Sequence, residues 1–494
     1  MLKNNISKIL LILILPFSII AISLISNSSS RRETFTLIKR FSHPSLKKFI
    51  KTNFLIAEEN KRLSMELEKS TRKLRILKKL VPNLAIDNDL QIIKSGSKIN
   101  FIKSENNKVI GGEIPLEIYQ PNGKQSLMGI FNLVPGSAYL DSNENDIFLL
   151  SASGILGYSK KKNESLTFNQ IKTNINRFIG EDQFRKKTWF SIKDLLIYQD
   201  KIYASYTQEV KENCWNTSII YGNLNYEEII FSKFFSPSEC VHSKDNPDKV
   251  FNAHQSGGRI FPFDKNNLLL STGEFRSRYL AQEKNSVLGK ILKINIIDKN
   301  YKLISMGHRN IQGLYVDNSN KLLISTEHGP SGGDEINLLN LKINQKVEIP
   351  NYGWAISSYG DHYGYGKSTK KAKKELGYIK ENVKNAYDLY PLYKSHKKYG
   401  FIEPLKYFVP SIGISEIVAL DEEKKIYIFS SLKGSSLYLL TLDESNNIDF
   451  LSQIEVGERI RDIMVHEDQL VIYLENTGSL GFIKINNIFS EFSL

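Results

Sequence analysis

The chain has 494 residues, of which 41% are hydrophobic and 24% charged, and its 66 lysines and arginines against 53 acidic residues give a formal charge of +13. This composition excludes a disordered, collagen-like or multi-spanning membrane protein and fits one large or two ordinary globular domains. Residues 1–80 contain 17 lysines and arginines and five acidic residues, a net +12, which leaves +1 for the remainder. The body is nearly neutral, so a general nucleic-acid-binding surface is excluded.

The first thirty residues contain a long apolar run. Seventeen residues, Ile9 to Ile25, follow Lys3 and Lys8 and are interrupted only by Pro16 and two serines. A run of this length spans a thin hydrocarbon core as a helix and also suits the apolar region of a secretory signal. We therefore predict that residues 1–30 form a signal anchor or a cleaved signal peptide. In both cases the rest of the chain is exported to the periplasm, and a retained segment would tether it to the inner membrane.

A heptad pattern follows in the basic region of residues 31–85. Core positions recur every seven residues from Ile56 to Val81, and two of them are polar, Asn60 and Ser70. A helix with this pattern pairs with a second copy in a coiled coil, which predicts a homodimer through residues 56–81. The alternative is a single amphipathic helix that lies on the folded domain or on acidic lipid headgroups.

The chain has two cysteines, Cys214 and Cys240. In an exported protein, two cysteines 26 residues apart favour one disulfide over a metal site, which needs further ligands at close spacing. The alternative is a pair of unlinked thiols.

From residue 90 to residue 490 the sequence predicts an all-β domain. Short runs of β-branched and aromatic residues are separated by turns rich in Asp, Asn, Gly and Lys. One unit, a strand, a polar hairpin turn and a second strand, recurs from Ile192, Gly257, Asn310, Ile414 and Ile460. Such units are typical of the blades of a β-propeller, and their spacing predicts about six or seven blades. Loops of a propeller converge on a central channel, where a functional site is expected.

Three loops at strand ends carry unusual polar residues. His254 lies in NAHQSGGR (residues 252–259), beside a glycine pair that lets a backbone approach a ligand, and an imidazole suits a general base near neutral pH. GHRNIQG (residues 307–313) joins the guanidinium of Arg309 to the amide of Asn310. EHGPSGGDEIN (residues 327–337) offers the carbonyl and carboxylate oxygens that Ca²⁺ prefers, without the spacing of an EF-hand. Each loop taken alone also fits an ordinary structural or solvated segment.

Cations recur near the C-terminus of a body whose charge is otherwise balanced. Lys433 lies in SSLKGSS, and Arg459 and Arg461 are two residues apart in GERIRD, which places them on one face of a strand. Arginine binds carboxylates in bidentate fashion, so these residues predict an anionic ligand with several carboxylates. The alternative is that they form salt bridges with Glu458 and Asp462.

Taken in order, these motifs resemble a known family. HQSGGR, GHRNIQG, EHGPSGGDEIN followed by NYGW (residues 351–354), SLKG and ERIRD resemble the soluble quinoprotein glucose/sorbosone dehydrogenases and aldose sugar dehydrogenases. The resemblance extends from about residue 185 to residue 485. It implies a six-bladed β-propeller that oxidises an aldose or a related polyol with pyrroloquinoline quinone (PQQ) and Ca²⁺, and that passes the electrons to a respiratory acceptor.

The resemblance also implies roles for individual residues. His254 would remove the proton of the sugar C1 hydroxyl while hydride passes to the quinone, and Arg309 would polarise that acceptor. The cofactor would be bound by Arg309, Asn310, Lys433, Arg459 and Arg461. Calcium beside the cofactor would be bound by the carbonyls of Gly329 and Pro330, and a second, structural calcium by Glu335 and the carbonyl of Tyr352.

One segment departs from the family pattern. Where active members usually carry a glutamine in a Gly-rich segment, this chain has Thr188, Trp189, Phe190 and Ser191. The departure motivates a second hypothesis, a propeller with weak or no catalytic activity that binds glycans or protein of the cell envelope. A calcium-dependent lactonase is a third hypothesis, and the cationic residues argue against it because ester hydrolysis needs no tricarboxylate-binding group.

Overall fold

A computed structural model of the chain describes residues 63–65, 67, 90–105, 108–121, 137–152, 154–162, 165–179, 191–248, 250–342, 348–362 and 390–494. Contacts between residues divide the chain into two units, residues 1–77 and 78–494. The helix predicted over residues 56–81 is described only at 63–65 and 67, which are helical, with Leu63 and Leu67 exposed. The apolar run of residues 9–25 and the segment 188–190 lie outside the described residues. No helix within the described ranges is long and apolar enough to cross a bilayer.

The second unit is built almost entirely of strands. In chain order its described strands are β1 (Leu90–Glu105), β2 (Lys108–Pro121), β3 (Ala138–Ser142), β4 (Ile147–Ser151), β5 (Leu156–Lys162), β6 (Ser165–Thr173), β7 (Ile192–Tyr198), β8 (Lys201–Lys211), β9 (Cys214–Asn223), β10 (Glu228–Ile229), β11 (Ser232–Phe235), β12 (Val241–His242), β13 (Gly257–Asp264), β14 (Asn267–Thr272), β15 (Lys290–Asn295), β16 (Tyr301–Met306), β17 (Ile311–Asp317), β18 (Leu322–Glu327), β19 (Asp334–Asn340), β20 (Lys406–Phe408), β21 (Ile414–Asp421), β22 (Ile426–Ser431), β23 (Ser436–Leu442), β24 (Ile448–Glu455), β25 (Ile460–His466), β26 (Gln469–Leu474) and β27 (Ser479–Lys484). The described helices of this unit are the short 3-10 helices Ile175–Arg177, Arg278–Ala281 and Lys397–Tyr399 and the α-helix α1 (Ile485–Phe492). The prediction of an all-β domain is confirmed.

Each predicted unit of strand, turn and strand is an antiparallel hairpin. The five hairpins are β7–β8, β13–β14, β17–β18, β21–β22 and β25–β26. In the first turn Asp200 has a φ of 56°, a left-handed conformation that Asp tolerates better than most side chains. The polar residues between the apolar runs therefore form the turns that the sequence predicts.

The strands that follow each hairpin complete antiparallel sheets. β13–β16 and β17–β20 form two four-stranded sheets, and β7, β8, β9, β11 and β12 form a five-stranded one. β3–β6, β21–β24 and β25–β27 belong to a 14-stranded sheet in which β1 and β2 link them. The sheets pack face to face: Leu268 and Leu270 of β14 lie in one buried cluster with Trp215 and Ile219 of β9. Several small sheets packed in this way make a β-propeller-like fold.

The long hairpin β1–β2 connects three groups of strands. β1 pairs with β6 over residues 90–92 and with β24 over residues 100–102. β2 pairs with β27 over residues 117–119. The first strands of this unit are thereby joined to strands at its C-terminal end.

The first strand of each group borders a common centre. β3 contacts β7, β7 contacts β13, and the contacts continue through β17, β21 and β25 back to β3. Arg259 of β13 extends into this centre, where its guanidinium lies 5.1 Å from the middle of the Tyr139 ring of β3. Its Nε donates to the carbonyl of Gln312 of β17. One side chain therefore bridges several inner strands.

Three buried carboxylates share the guanidinium of Arg259. Asp194 of β7, Glu416 of β21 and Asp462 of β25 lie 2.9, 2.7 and 2.7 Å from its Nη1. Burial raises the pKa of Glu416 to about 8 and that of Asp194 to about 7, and although Arg259 opposes this shift, the neighbouring carboxylates add to it. A single positive charge is thus shared by three carboxyl groups. Because the pKa values of Glu416 and Asp194 are raised, the cluster retains protons near neutral pH.

Glu416→Gln is expected to remove part of the pH dependence of stability. Folded Glu416 keeps its proton up to about pH 8, whereas in the unfolded chain it loses the proton near pH ~4.3. Its contribution is therefore fully present below the unfolded pKa and is lost as the pH rises through the folded pKa. The loss amounts to about 1.4 kcal/mol per pH unit. The free energy of unfolding, measured with urea from about pH 5 to about pH 8, should fall less steeply for the variant than for the natural protein.

The slope, and not the absolute stability, is the readout of this experiment. Other groups with shifted pKa values outside the cluster, such as Lys290, contribute equally to both proteins, so they cancel in the comparison. Glu423→Gln, an exposed position in the turn between β21 and β22, should keep the natural slope. Equal slopes for all three proteins would contradict the assignment of a retained proton to this cluster.

Cys214 and Cys240 form the predicted disulfide, with Cα atoms 5.4 Å apart. Cys214 begins β9, and Cys240 immediately precedes β12, which pairs with β9. The bond fastens the edge of this sheet, and the interpretation as unlinked thiols is wrong.

Candidate functional site

Five of the predicted site residues lie at the starts of inner strands. His254 precedes β13 by three residues, Arg309 and Asn310 directly precede β17, Arg459 directly precedes β25, and Arg461 is the second residue of β25. Inner strands contact one another around the common centre. Their ends therefore carry these side chains towards each other.

His254 lies among positively charged side chains. Its side chain reaches solvent, yet neighbouring atoms crowd it and this burial lowers its pKa. Lys193, Arg461, His328 and Arg459 lower the pKa of His254 further through their charges. The ring is therefore uncharged at neutral pH, and while these cations lie beside it, it is a weaker base than an ordinary imidazole.

Gly257 and Gly258, which follow His254 in the sequence, allow other parts of the chain to pack closely against their backbone. Their φ values are 60° and 123°. A Cβ atom at Gly257 would lie 2.8 Å from the backbone nitrogen of Gly273, and one at Gly258 would lie 2.3 Å from Cβ of Lys193. The expectation that this pair lets a ligand approach the backbone is wrong, because the groups that approach are other strands of the chain.

Arg309 and Asn310 are buried and held from several sides. Arg309 Nη1 donates to the carbonyl of His328 at 2.7 Å, and the guanidinium lies 5.4 Å from the centre of the Trp354 ring. Asn310 Oδ1 accepts from the backbone nitrogen of Gly257 at 3.0 Å. The alternative of a solvated loop is wrong for both residues, since each is 3% exposed. Their contacts fix a guanidinium and an amide beside the loop that carries the histidine.

The buried pair of Glu327 and His308 holds the backbone of Arg309 in place. The backbone nitrogen of Arg309 donates to Glu327, whose Oε2 lies 2.9 Å from Nδ1 of His308. Nε2 of His308 lies 2.8 Å from Ser305 Oγ. His308 and Glu327 lie inside the motifs GHRNIQG and EHGPSGGDEIN, but their residue types alone predicted no role for them. Their contact joins the segment before β17 to the end of β18, and the pairing of Ile311 with Glu327 in that hairpin is the signal that could have placed them close together.

Arg459 and Arg461 bind one carboxylate, that of Glu475. Arg459 Nε lies 2.7 Å from Glu475 Oε2, and Arg461 Nη2 lies 2.8 Å from Oε1. Burial would raise the pKa of Glu475, but Arg461 and Arg459 hold it below its usual value. Two guanidiniums thus share a single negative charge, and the pair keeps a net positive charge.

The acidic neighbours of these arginines in sequence bind other groups. Asp462 lies against Arg259, and Glu458 accepts from the backbone nitrogen and the hydroxyl of Thr477. The alternative in which Glu458 and Asp462 pair with Arg459 and Arg461 is wrong. The actual partner lies at the exit of the β25–β26 hairpin, a position that the repeat predicts to be small or polar.

Within the described residues, charge interactions place Lys193 close to Arg461, and none places Lys433 there. Lys433 follows β22 and is exposed. Lys193, in β7, is a residue that the sequence analysis did not identify, and burial together with Arg461 lowers its pKa to about 7. Lys193 comes two residues after the segment in which the family's glutamine is missing, and this neighbourhood is the signal that could have found it.

The loop between β18 and β19 presents backbone oxygens. Asp334 Oδ1 accepts from the backbone nitrogen of Gly329 at 3.1 Å, and Oδ2 accepts from those of Gly413 and Ile414 at 2.7 and 3.1 Å. The Asp334 carboxylate is therefore used in holding the loop to the start of β21. Within the described ranges, no group of three or more His, Cys, Asp or Glu side chains is arranged to hold a metal ion. Gly329 and Pro330, whose carbonyls are predicted to bind calcium, belong to this loop.

The two ligands predicted for a second calcium face a histidine. Glu335 Oε1 lies 3.3 Å from Nε2 of His396, and the carbonyl oxygen of Tyr352 lies 2.9 Å from Nδ1 of the same ring. The structure therefore brings Glu335 and Tyr352 together with an imidazole between them. His396 belongs to a segment rich in Tyr and Lys, residues 360–398, that carries none of the motifs described above.

Residues 197–384 match the family model described as glucose/sorbosone dehydrogenase. This range contains His254, Arg309 and Asn310, whereas Arg459 and Arg461 lie beyond it. The match agrees with the family that the sequence motifs resemble, over a shorter range than the motifs themselves cover.

Two of three curated relatives carry dehydrogenase names. Aldose sugar dehydrogenase YliI of Escherichia coli is 24% identical over 306 residues, which cover 58% of this chain and 73% of that protein. Quinoprotein glucose dehydrogenase B of Acinetobacter calcoaceticus is 26% identical over 241 residues, 39% of this chain and 49% of that protein. An uncharacterised protein of Synechocystis sp. is 30% identical over 223 residues, 41% of this chain and 47% of that protein. The chain spans about half the length of two of these three relatives.

A solved structure supports the fold. The soluble aldose sugar dehydrogenase of Escherichia coli, in its apo-form, superposes with a TM-score of 0.53 at 17% identity, covering 75% of this chain and 99% of that one. At this identity the likeness concerns the fold alone, and it agrees with the β-propeller-like arrangement of sheets.

Proposed function

Residues 197–384 of this chain match the glucose/sorbosone dehydrogenase family model, and from this premise we propose that the protein is an exported oxidoreductase that oxidises an aldose or a related polyol with PQQ and Ca²⁺. His254 serves as the general base for the C1 hydroxyl, and PQQ, when bound, accepts the hydride from C1. One observation carries the proposal: the uncharged imidazole of His254 lies among Lys193, Arg459 and Arg461. A proton acceptor beside a group of cations suits oxidation by an anionic cofactor.

The cations fit a ligand with several carboxylates. Arg459 and Arg461 share the carboxylate of Glu475, and their side chains are 34% and 14% exposed, so both can still contact a ligand. Lys433 is exposed, and Lys193 adds a charge beside Arg461. We assign the carboxylates of PQQ to Arg459, Arg461 and Lys433, since guanidinium and ammonium groups bind carboxylates through charge-assisted hydrogen bonds.

Arg309 and Asn310 fit the quinone oxygens. Asn310 Oδ1 already accepts from Gly257 and from Gln312 Nε2, so the amide N–H groups of Asn310 are the atoms left for a ligand oxygen. Arg309 supplies a guanidinium held in place by its backbone and ring contacts. In the described part of the chain, Nε2 of His328 is buried without a hydrogen-bond partner, and His328 is near enough to Arg309 for their charges to interact. A polar ligand in this region would satisfy that atom.

Calcium beside the cofactor is assigned to the carbonyls of Gly329 and Pro330. Backbone carbonyls are among the oxygen ligands that Ca²⁺ takes. Because Asp334 already accepts three backbone hydrogen bonds, the negative charge that such an ion needs would come from the cofactor.

The proposal includes the architecture and the location of the protein. The closed series of contacts among β3, β7, β13, β17, β21 and β25 supports six blades, one for each inner strand. The Cys214–Cys240 disulfide favours an exported protein, because such bonds persist in oxidising compartments. A membrane tether through residues 1–30, a respiratory electron acceptor and a homodimer through residues 56–81 stay predictions.

Arg461→Gln is expected to weaken PQQ binding by about 10-fold or more, because a hydrogen bond to a charged group contributes about 1.5–3 kcal/mol. Arg459 remains to pair with Glu475, so the fold should persist. The measurement is a titration of the purified full chain with PQQ in the presence of Ca²⁺, followed by the absorbance of the cofactor.

Lys424→Gln is the matched control. Lys424 is exposed in the turn between β21 and β22, so its loss changes the net charge equally and should leave PQQ affinity unchanged. Absence of PQQ binding by the natural protein would sink the proposed function, and glycan binding without turnover would favour a binding module.

A further inference from the structure

His396 fills the space between Glu335 and the carbonyl of Tyr352. Its Nδ1 lies 2.9 Å from the carbonyl oxygen, and its Nε2 lies within ion-pair distance of Glu335 Oε1, at 3.3 Å. The residue is 1% exposed. The other oxygen of Glu335 accepts from Asn337 Nδ2, 3.5 Å away. Side chains of this chain therefore engage the atoms that the family resemblance assigns to a second calcium.

The surrounding chain is shaped to hold this ring. Tyr359 stacks on the imidazole, with ring centres 5.4 Å apart and planes inclined by 29°. The carbonyl of His396 accepts from the backbone nitrogens of Tyr399 and Phe401, each at 3.0 Å, which fixes the segment that carries the ring. Gly353 has a φ of 87°, and a Cβ atom there would lie 3.0 Å from His396 Nδ1 and 2.9 Å from the Phe401 ring. A side chain at position 353 would press on the imidazole, so the glycine keeps room for it.

These contacts do not fit a calcium ion at this position. Ca²⁺ takes about 6–8 oxygen ligands at about 2.3–2.6 Å, whereas here a nitrogen ring lies against both candidate oxygens. We propose that the imidazole of His396 takes the place of the second calcium and joins β19 to the loop that contains Tyr352, so that this part of the fold needs no metal. The inference rests on the family resemblance behind the proposed function, but it concerns a site separate from the residues assigned to PQQ.

The test uses the full chain without PQQ after treatment with a calcium chelator. Calcium and zinc per chain are measured, together with Tm in the presence and absence of added Ca²⁺. We expect the natural protein to retain no metal that depends on Glu335, and Ca²⁺ to leave its Tm unchanged. His396→Ala should lower Tm, and Ca²⁺ should raise it again, because the vacated space opens Glu335 and the Tyr352 carbonyl to the ion. Adding Glu335→Gln to His396→Ala should abolish this rescue, and any effect of Ca²⁺ that persists there belongs to another site.

His362→Ala is the matched control. His362 is also buried and its Nε2 lies 2.8 Å from the carbonyl of Tyr390, so its removal should lower Tm without rescue by Ca²⁺. Calcium or zinc retained by the natural protein and lost in Glu335→Gln would overturn the inference. A folded His396→Ala protein with an unchanged Tm, or one that does not respond to Ca²⁺, would also overturn it. If His396→Ala does not fold, the comparison of metal content between the natural protein and Glu335→Gln still tests the inference. Failure to bind PQQ would count against the proposed function and not against this inference.

Discussion

Replacing His254 by alanine is expected to lower the turnover number of sugar oxidation by about 10²–10⁴-fold, the usual contribution of a positioned general base. The side chain reaches solvent, and its loop is held by a backbone hydrogen bond from His254 to Asn252 Oδ1 at 2.9 Å. The substitution therefore removes the proton acceptor without unpacking the core, and PQQ affinity should persist. The measurement is dye-linked oxidation of aldoses by the protein reconstituted with PQQ and Ca²⁺.

The pKa of His254 depends on whether an anion is bound to the positively charged side chains around it. Lys193, Arg461 and Arg459 all lower the pKa of His254. An anion bound to these groups would cancel part of their effect, and the imidazole would become a stronger base. We therefore expect the base to be strongest when the anionic cofactor is bound.

His466→Ala is the control for this experiment. His466 is at the end of β25 opposite to Arg459 and Arg461, so its loss should leave turnover unchanged. Equal rates for the natural protein and His254→Ala would contradict the assignment of the base. Hydrolysis of esters without quinone would instead support the lactonase hypothesis.

Replacing Arg259 by alanine is expected to lower the free energy of unfolding by about 3–5 kcal/mol, the cost of removing one partner from a buried ion pair. The substitution leaves Asp194, Glu416 and Asp462 buried without the guanidinium that lies within 2.9 Å of all three. It also removes the contacts with Gln312 and with the Tyr139 ring. Urea unfolding at neutral pH, with the slope of the transition checked for two-state behaviour, measures the loss.

Arg259→Lys separates charge from geometry in this cluster. An ammonium keeps the positive charge but cannot reach several strands in the fixed fork of a guanidinium, so we expect an intermediate loss. Lys265→Ala, an exposed position in the turn of the same hairpin, should change stability little. A loss for Arg259→Ala no larger than that for Lys265→Ala would show that the cluster does not hold the inner strands together.

The hairpins and the candidate residues could be predicted because their signals are local. Alternating apolar runs and polar turns define units such as β13–β14, and His254, Arg309 and Arg461 lie in short contiguous motifs. The partners of these residues could not be predicted in the same way. Arg259 lies in the first motif, but its contact with Asp462 joins residues 203 positions apart in the sequence. The two residues meet because the inner strands contact one another in a closed ring, which no local pattern predicts.

Two further features depend on neighbours that no local pattern reveals. A glycine in a sequence indicates a close approach but not which group approaches, and at Gly258 that group is Lys193 rather than a ligand. His396 lies in a segment without a recognisable motif, and its role follows only from the placement of Glu335 and Tyr352 against its ring. In both cases the missing information is tertiary, since the contacting residues belong to different strands or loops.

The hairpin β1–β2 imposes an order on the assembly of the domain during synthesis. β2 is made before the inner strands β7 to β25, yet the strand that covers its second edge, β27, is made after them. Until Ser479–Lys484 have emerged, residues 117–119 of β2 present unpaired backbone donors and acceptors to any other extended chain. Chains that end prematurely within the C-terminal strands are therefore the ones most exposed to edge-to-edge association, and full-length synthesis is what protects this strand.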